Sequence, residues 1–186
     1  IGLVHICTFI LLLLSGDRLF GVALNNRYNE HLPLIDMPKV SGSIADFMVI
    51  VFHKMIVNTQ RRLESLYNCF LTIISNISPY LKTLSLPGCM KLLNLFEVFS
   101  TPRYLLANQS NHQYLFFLVD ILNNLIQYQY DGNCQLVYAI IRRKSMFTRV
   151  TSLSIKDWVQ KPPKSATTEG TTTPPRFVPV SYTHLT

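Results

Sequence analysis

The sequence is poor in charged residues. Charged side chains make up 15% of its 186 residues and hydrophobic ones 48%, whereas a soluble domain usually has about 25% charged residues. Two classes of protein are compatible with this balance. One is a membrane protein, and the other is a piece of a larger helical protein whose apolar faces are covered by neighbouring helices. Because it begins with Ile1 rather than Met, we interpret the chain as a fragment.

Acidic residues are scarce near the C-terminus, where the net charge of +7 is concentrated. Residues 1–141 contain nine Lys and Arg and eight acids, whereas residues 142–186 contain eight Lys and Arg and two acids. A nucleic-acid-binding protein needs a row of Lys and Arg on its folded face. The Arg61-Arg62 pair and the cluster at residues 142–144 are too sparse for such a row, so nucleic-acid binding is not expected.

Recognisable catalytic and cofactor motifs are missing. The sequence has no G-x-S-x-G, no P-loop, no G-x-G-x-x-G and no H-E-x-x-H. Its histidines are scattered, and His53, beside Lys54 in a predicted helix, is interpreted as structural. Asp120 and Asp131 are too far apart in sequence to form a carboxylate pair. We therefore predict that the protein is not an enzyme and has no catalytic residues, no metal and no cofactor.

The four cysteines, Cys7, Cys69, Cys89 and Cys134, contain no C-x-x-C pair. Each lies inside or beside an apolar run, which favours thiols packed in the core over disulfides or a zinc site. The two N-x-S/T sequons, at Asn76 and Asn108, are interpreted as chance matches.

The longest apolar run, Ile1 to Leu14, is shorter than the roughly 20 residues that a helix needs to cross a bilayer. It also lacks the basic start and the small-residue cleavage site of a signal peptide. We predict a helix that ends at Ser15-Gly16, followed by "LFGVALN" as a short extended segment. The helix is interpreted as part of a larger helical core whose upstream neighbour is missing.

What the sequence does contain is a series of helical patterns. Ser43 and Asp46 have the spacing of a capping box at the start of one of them. Apolar residues then recur every three or four positions. The predicted helices cover about 44–57, 60–77, 87–99, 111–130 and 134–147, and an apolar turn, "YLL", follows Pro102.

These helices predict an all-α fold. Their starts form pairs that repeat about every 45 residues, as in HEAT and armadillo repeats, so residues 1–150 are predicted to be a piece of a helical-repeat solenoid. Residues 151–178 are rich in Pro, Thr and Lys, and we predict that this C-terminal tail is disordered. Residues 179–186 include "VSYTHLT", which resembles translated cloning-adaptor sequence, and are interpreted as a non-native end.

One cluster of charge is a candidate contact site. Arg142, Arg143 and Lys144 are predicted in the last turns of a helix, where positive charge complements the helix dipole. Together with the lysines beyond them, at positions 156, 161 and 164, they also form a candidate contact for anionic lipid or for a partner protein.

Several stretches together resemble a known family. They follow one another in order from about Leu3 to Phe147: "DFMVIVFHKMI", "CFLTIISNISPYLKTLS", "KLLNLFEVFST", "FFLVDILNNLIQYQYDGN" and "LVYAIIRRKSMF". In these stretches the chain is similar to the high-temperature-induced dauer formation protein family, which is related to dymeclin.

The resemblance implies a cytoplasmic, all-helical and non-enzymatic protein, peripherally attached to Golgi and trans-Golgi membranes. It implies a scaffold that binds proteins of the secretory pathway and acts in vesicle trafficking, namely in dense-core vesicle biogenesis and the sorting of peptide cargo. The resemblance also implies an N-terminal myristoyl anchor in the family, which we assign to no residue of this chain because this sequence has no Met-Gly start. The alternative from another class is an integral membrane protein, such as a piece of a transporter.

Overall fold

A computed structural model describes residues 2–28, 42–58 and 63–153, and the regular elements in these ranges are helical, without a strand. Three 3-10 turns, Glu64–Leu66, Ser78–Tyr80 and Asp131–Asn133, lie between the α-helices. The α-helices are α1 Gly2–Ser15, α2 Arg18–Ala23, α3 Ile44–Asn58, α4 Tyr67–Ile77, α5 Leu86–Phe99, α6 Pro102–Leu105, α7 Asn111–Gln129, α8 Cys134–Arg142 and α9 Lys144–Thr151.

The predicted capping box is present at the start of α3. The Ser43 hydroxyl accepts a hydrogen bond from the Asp46 backbone N–H at 3.2 Å, and the Asp46 carboxylate accepts one from the Ser43 N–H at 3.0 Å. The same carboxylate accepts the backbone N–H of Ser85 at 2.7 Å, just before α5. Asp46 is buried. One carboxylate therefore joins the starts of two helices that pack against each other.

The core lies where α4 and α5 pack against α3 and α7. Its largest fully buried side chains include Tyr67, Phe70, Phe96 and Phe99. Tyr67 also donates its hydroxyl to the backbone carbonyl of Ile56 at 2.8 Å, so its polar atom is satisfied inside the core. The helical spacing of apolar residues predicts one buried stripe for the helix placed at residues 60–77. This prediction is confirmed, because all members of the stripe are buried: Leu63, Leu66, Tyr67, Phe70, Leu71 and Ile74.

The connector of residues 81–85, between the Ser78–Tyr80 turn and α5, is held by amide side chains. Asn25 accepts the N–H of Lys82 at 2.8 Å and donates to the carbonyl of Tyr80 at 2.9 Å. Asn133 accepts the N–H of Leu84 at 2.9 Å. These bonds satisfy backbone groups that have no helical partner. Because Asn133 directly precedes α8, its bond to Leu84 also ties the start of α8 to this connector.

Three predicted boundaries are wrong. "LFGVALN" is mostly helical rather than extended, since α2 covers Arg18–Ala23 and begins with Asp17 accepting the Leu19 N–H at 2.8 Å. The helix predicted from residue 60 becomes α-helical only at Tyr67, after a 3-10 turn, and residues 60–62 lie outside the described ranges. The apolar turn after Pro102 is the short helix α6.

The last predicted helix is two helices with a break at Arg143. The Arg143 backbone has φ −106° and ψ 23°, and its N–H bonds to the carbonyls of Ala139 and Ile140. The break turns α9 towards α5. Met146 is thereby buried, and the Phe147 ring lies 4.5 Å from the Phe96 ring, measured between centroids.

The all-α class is confirmed for the described residues. Their helices form one compact unit, which ends at Leu153. The repeat solenoid and the division into segments 1–150, 151–178 and 179–186 stay predictions, and residues 154–186 lie outside the described ranges.

Candidate functional surface

The predicted cluster of Arg142, Arg143 and Lys144 lies at the junction of α8 and α9. From Cys134 to Leu153 the sequence contains four cationic residues, the fourth being Arg149, and no acidic one. Arg142 lies in the last turn of α8, as predicted. Arg143 forms the break and Lys144 begins α9, so the prediction of a single helix is wrong for these two residues.

The middle residue of the cluster faces the protein. The Arg143 side chain is 22% exposed, and its guanidinium nitrogen lies 3.6 Å from a carboxylate oxygen of Glu97 on α5. Arg149 approaches the other oxygen of the same carboxylate at 3.8 Å. Ion pairs this long at the surface stabilise a fold by less than about 1 kcal/mol. Their main effect is to orient Arg143 and Arg149 towards α5.

The other two members of the cluster, Arg142 and Lys144, are exposed. The Arg142 guanidinium lies over the Tyr138 ring, 5.9 Å from its centroid, which is within cation–π distance. Tyr138 and Ile141 are each 62% exposed. Spacings of three and four residues place Tyr138, Ile141 and Arg142 on one side of α8. We call Tyr138, Ile141, Arg142 and Lys144 the junction surface.

A second unusual surface is the outer face of α1. The helix has no charged residue, and its inner side packs against α4. The predicted end of this helix at Ser15-Gly16 is confirmed. Six large apolar side chains point outward with 44–75% of their surface exposed: Leu3, Ile6, Phe9, Ile10, Leu13 and Leu14. Contiguous apolar surface of this kind is typical of a contact site. We call these six residues the α1 outer face.

The alternative of an integral membrane protein depends on helices that could cross a bilayer. Within the described ranges, no helix combines the length and the hydropathy that a crossing requires.

Two titratable groups inside the fold, His53 and Cys89, are held in their neutral forms at pH 7. His53, on α3, bonds through Nε2 to the Asn94 amide oxygen at 2.8 Å. Burial lowers the pKa of His53 to about 4, the hydrogen bond to Asn94 opposes this shift, and the charge of Lys91 adds to it. The imidazole is therefore neutral at pH 7, as expected of a structural histidine.

The cysteines are all free thiols, but only Cys89 is buried. Burial raises the pKa of the Cys89 thiol to about 12, with a further increase from the Asp46 carboxylate, so this thiol is not a nucleophile at pH 7. Cys7 and Cys134 are exposed and Cys69 is partly buried. The prediction of four core thiols is therefore wrong for Cys7 and Cys134, which lie on the outward sides of their helices.

One polar contact between α4 and α7 brings a hydroxyl to a carboxylate. Ser75 donates to Asp120, and Asn124 donates to the Ser78 hydroxyl at 3.0 Å. A hydroxyl and a carboxylate alone lack the base of a nucleophilic triad. These bonds cross-link two packed helices. In the described part of the chain, no group of three or more His, Cys, Asp or Glu is placed to hold a metal ion.

Comparison with known proteins explains why several successive stretches of the sequence resemble one family. The sequence profile of the Hid1 family, described as high-temperature-induced dauer-formation protein, matches residues 1–172. The chain belongs to the Hid1 family. Protein HID1 of Homo sapiens is 51% identical over 153 residues, which are 82% of this chain and 19% of the human protein. No solved structure matches the chain.

Two less similar relatives also match most of the chain. Protein HID1 of Dictyostelium discoideum is 44% identical over 169 residues, 90% of this chain and 18% of that protein. The Ubp5-interacting protein ftp105 of Schizosaccharomyces pombe is 30% identical over 157 residues, 83% of this chain and 17% of that protein. The chain therefore spans about a fifth of the length of the curated relatives that it matches.

Proposed function

We propose that this Hid1-family chain is part of a non-enzymatic scaffold for secretory trafficking, peripherally associated with the cytoplasmic side of Golgi and trans-Golgi membranes. The proposed role is in dense-core vesicle biogenesis and peptide cargo sorting, through binding to proteins of the secretory pathway. The observation that carries it is the match of residues 1–172 to the Hid1 family. In this proposal the helical pairs continue as a HEAT- or armadillo-like solenoid.

A binding role is supported by two further observations. The α1 outer face exposes six large apolar side chains on a helix without charge, a surface suited to contact with a partner protein or with an upstream helical pair of the same solenoid. One relative is named for an interaction, as the Ubp5-interacting protein of fission yeast. We infer that this chain also works by holding other proteins, without assigning Ubp5 as its partner.

We assign the titratable side chains inside the described core to structure. Its buried histidine and its buried thiol are both neutral at pH 7, and each is used in packing or in a hydrogen bond within the fold. No cofactor enters the proposal.

The proposed location is tested by fractionation of secretory cells that express the full-length protein. We expect it to sediment with Golgi membranes and to be released by alkaline carbonate, which strips peripheral proteins and leaves spanning proteins in the pellet. Resistance to carbonate would favour the integral membrane alternative. Absence from Golgi fractions would contradict the proposed location.

The binding role is tested with two variants of the full-length protein, Phe9→Ser with Leu13→Ser on the α1 outer face, and Leu86→Ser as the matched control. Leu86 is also exposed and apolar, but it lies at the start of α5. We expect quantitative mass spectrometry of affinity-purified complexes to show loss of the same secretory proteins from the α1 variant alone. If the parent protein and both variants purify with the same proteins, the α1 outer face is not the surface that binds them.

A further inference from the structure

We propose that the junction surface, formed by Tyr138, Ile141, Arg142 and Lys144, docks on an anionic lipid bilayer. This inference deepens the proposed function, on whose membrane setting it rests, by naming the part of the fold that touches lipid.

The charge of this region is complementary to an anionic membrane. Four cations and no acid occur between Cys134 and Leu153. Glu97 on α5 neutralises part of that charge, but it contacts Arg143 and Arg149, which lie beside the exposed Arg142 and Lys144. Arg142 and Lys144 therefore project to solvent, whereas the Glu97 carboxylate is near the other two cations of this region. Such cations interact favourably with the headgroups of anionic lipids.

The apolar members decide between a bilayer and an acidic protein. Ile141 is 62% exposed, and it lies one residue before Arg142 on the outer side of α8. Tyr138, equally exposed, has a ring suited to the boundary between headgroups and acyl chains, and the Arg142 guanidinium lies over that ring. An aliphatic tip beside cations and an aromatic ring is typical of helices that lie in a membrane interface.

The test measures binding of the complete 186-residue chain to sedimented vesicles of phosphatidylcholine, with and without phosphatidylserine. We expect binding to require phosphatidylserine and to weaken as salt is raised. Each surface cation is expected to contribute roughly fivefold to the affinity for vesicles. The double variant Arg142→Gln with Lys144→Gln should therefore bind about 25-fold more weakly. Ile141→Gln is expected to lose roughly fivefold to tenfold in low and high salt alike, because its contribution is apolar.

Matched controls separate the surface from net charge. Lys82→Gln with Arg103→Gln removes the same charge from exposed cations elsewhere, and Phe116→Gln removes an apolar side chain that is 68% exposed on α7. Both controls are expected to bind like the parent chain. Circular dichroism confirms folding, and the lipid and salt dependence of the parent chain gives a result that needs no variant.

Several results would overturn the proposal: equal binding to neutral and anionic vesicles, junction variants that bind like the parent, or controls that lose as much as the junction variants. Polyglutamate binding that displaces the vesicles, together with no effect of Ile141→Gln, would assign the surface to an acidic protein instead. The vesicle assay contains only this chain and lipid, so a negative result would not contradict the proposed binding of secretory proteins. Absence of the full-length protein from Golgi fractions, in turn, would not change the measured binding to vesicles.

Discussion

The buried histidine predicts a stability that decreases as the solution becomes acidic. In the folded protein the pKa of His53 is lowered from 6.5 to about 4, chiefly by burial. Between these values the unfolded chain takes up a proton at this position and the folded chain does not. The free energy of unfolding therefore falls as pH falls from about 6.5 to about 4. At 1.36 kcal/mol per pKa unit, the contribution of His53 to this fall is about 3 kcal/mol.

This contribution is isolated by comparing the parent chain with His53→Gln, which keeps a polar group near Asn94 but does not titrate. Urea unfolding, followed by circular dichroism at pH 7, 5.5 and 4, gives the free energy of unfolding of each protein. We expect the difference between the two proteins to change by about 3 kcal/mol across this range. His112→Gln, at an exposed histidine, is the control. A difference that stays constant with pH would refute the assignment of a neutral, buried His53.

Four further substitutions test the packing of the fold and the charge of the junction. Asp46→Ala leaves the backbone N–H groups of Ser43 and Ser85 without their acceptor. It should lower the free energy of unfolding, measured by urea titration, by roughly 3 kcal/mol. A loss below about 1 kcal/mol would contradict the role of Asp46 at two helix starts. Gly132→Ala should lower it by about 2 kcal/mol, because an added Cβ would overlap the Lys82 carbonyl oxygen. Gly16→Ala, where an added Cβ meets no closer contact than 3.6 Å, should be nearly neutral, and equal effects of the two would refute the steric argument. Glu97→Gln should change stability by less than about 1 kcal/mol but strengthen binding to anionic vesicles by roughly fivefold, and weaker vesicle binding would contradict the charge argument.

Much of the fold follows from local patterns. Ser43 and Asp46 have a spacing that defines a capping box on its own, and the structure forms that box. The α4 stripe is equally local, because its apolar residues recur at helical intervals and are all buried. Helical spacing predicts that Leu115, Leu118, Val119, Leu122 and Ile126 line the buried side of α7. This prediction is only partly correct, because Val119 and Ile126 are exposed. Apolar residues of α7 lie on several sides of the helix, so the periodicity of the sequence alone does not show which side is buried.

The features that sequence reasoning missed depend on contacts between distant residues. Gly21 belongs to "LFGVALN", which was predicted to be extended, but it lies within α2, where an added Cβ would meet the Tyr80 ring at 2.7 Å. A small residue at this position allows the close approach. The break at Arg143 is likewise stabilised from a distance, by Glu97 on α5. The cationic cluster was found from its sequence, whereas the exposure of Tyr138 and Ile141 beside it required the fold.

The most direct test of the central claim is a measurement of peptide cargo storage in secretory cells that lack the full-length protein. Radioactive pulse–chase labelling gives the fraction of newly made peptide hormone that is retained in dense-core vesicles and released on stimulation. A trafficking scaffold predicts a lower stored fraction, restored by re-expression of the parent protein and not by the Phe9→Ser, Leu13→Ser variant. An unchanged stored fraction in cells without the protein would contradict the proposed function.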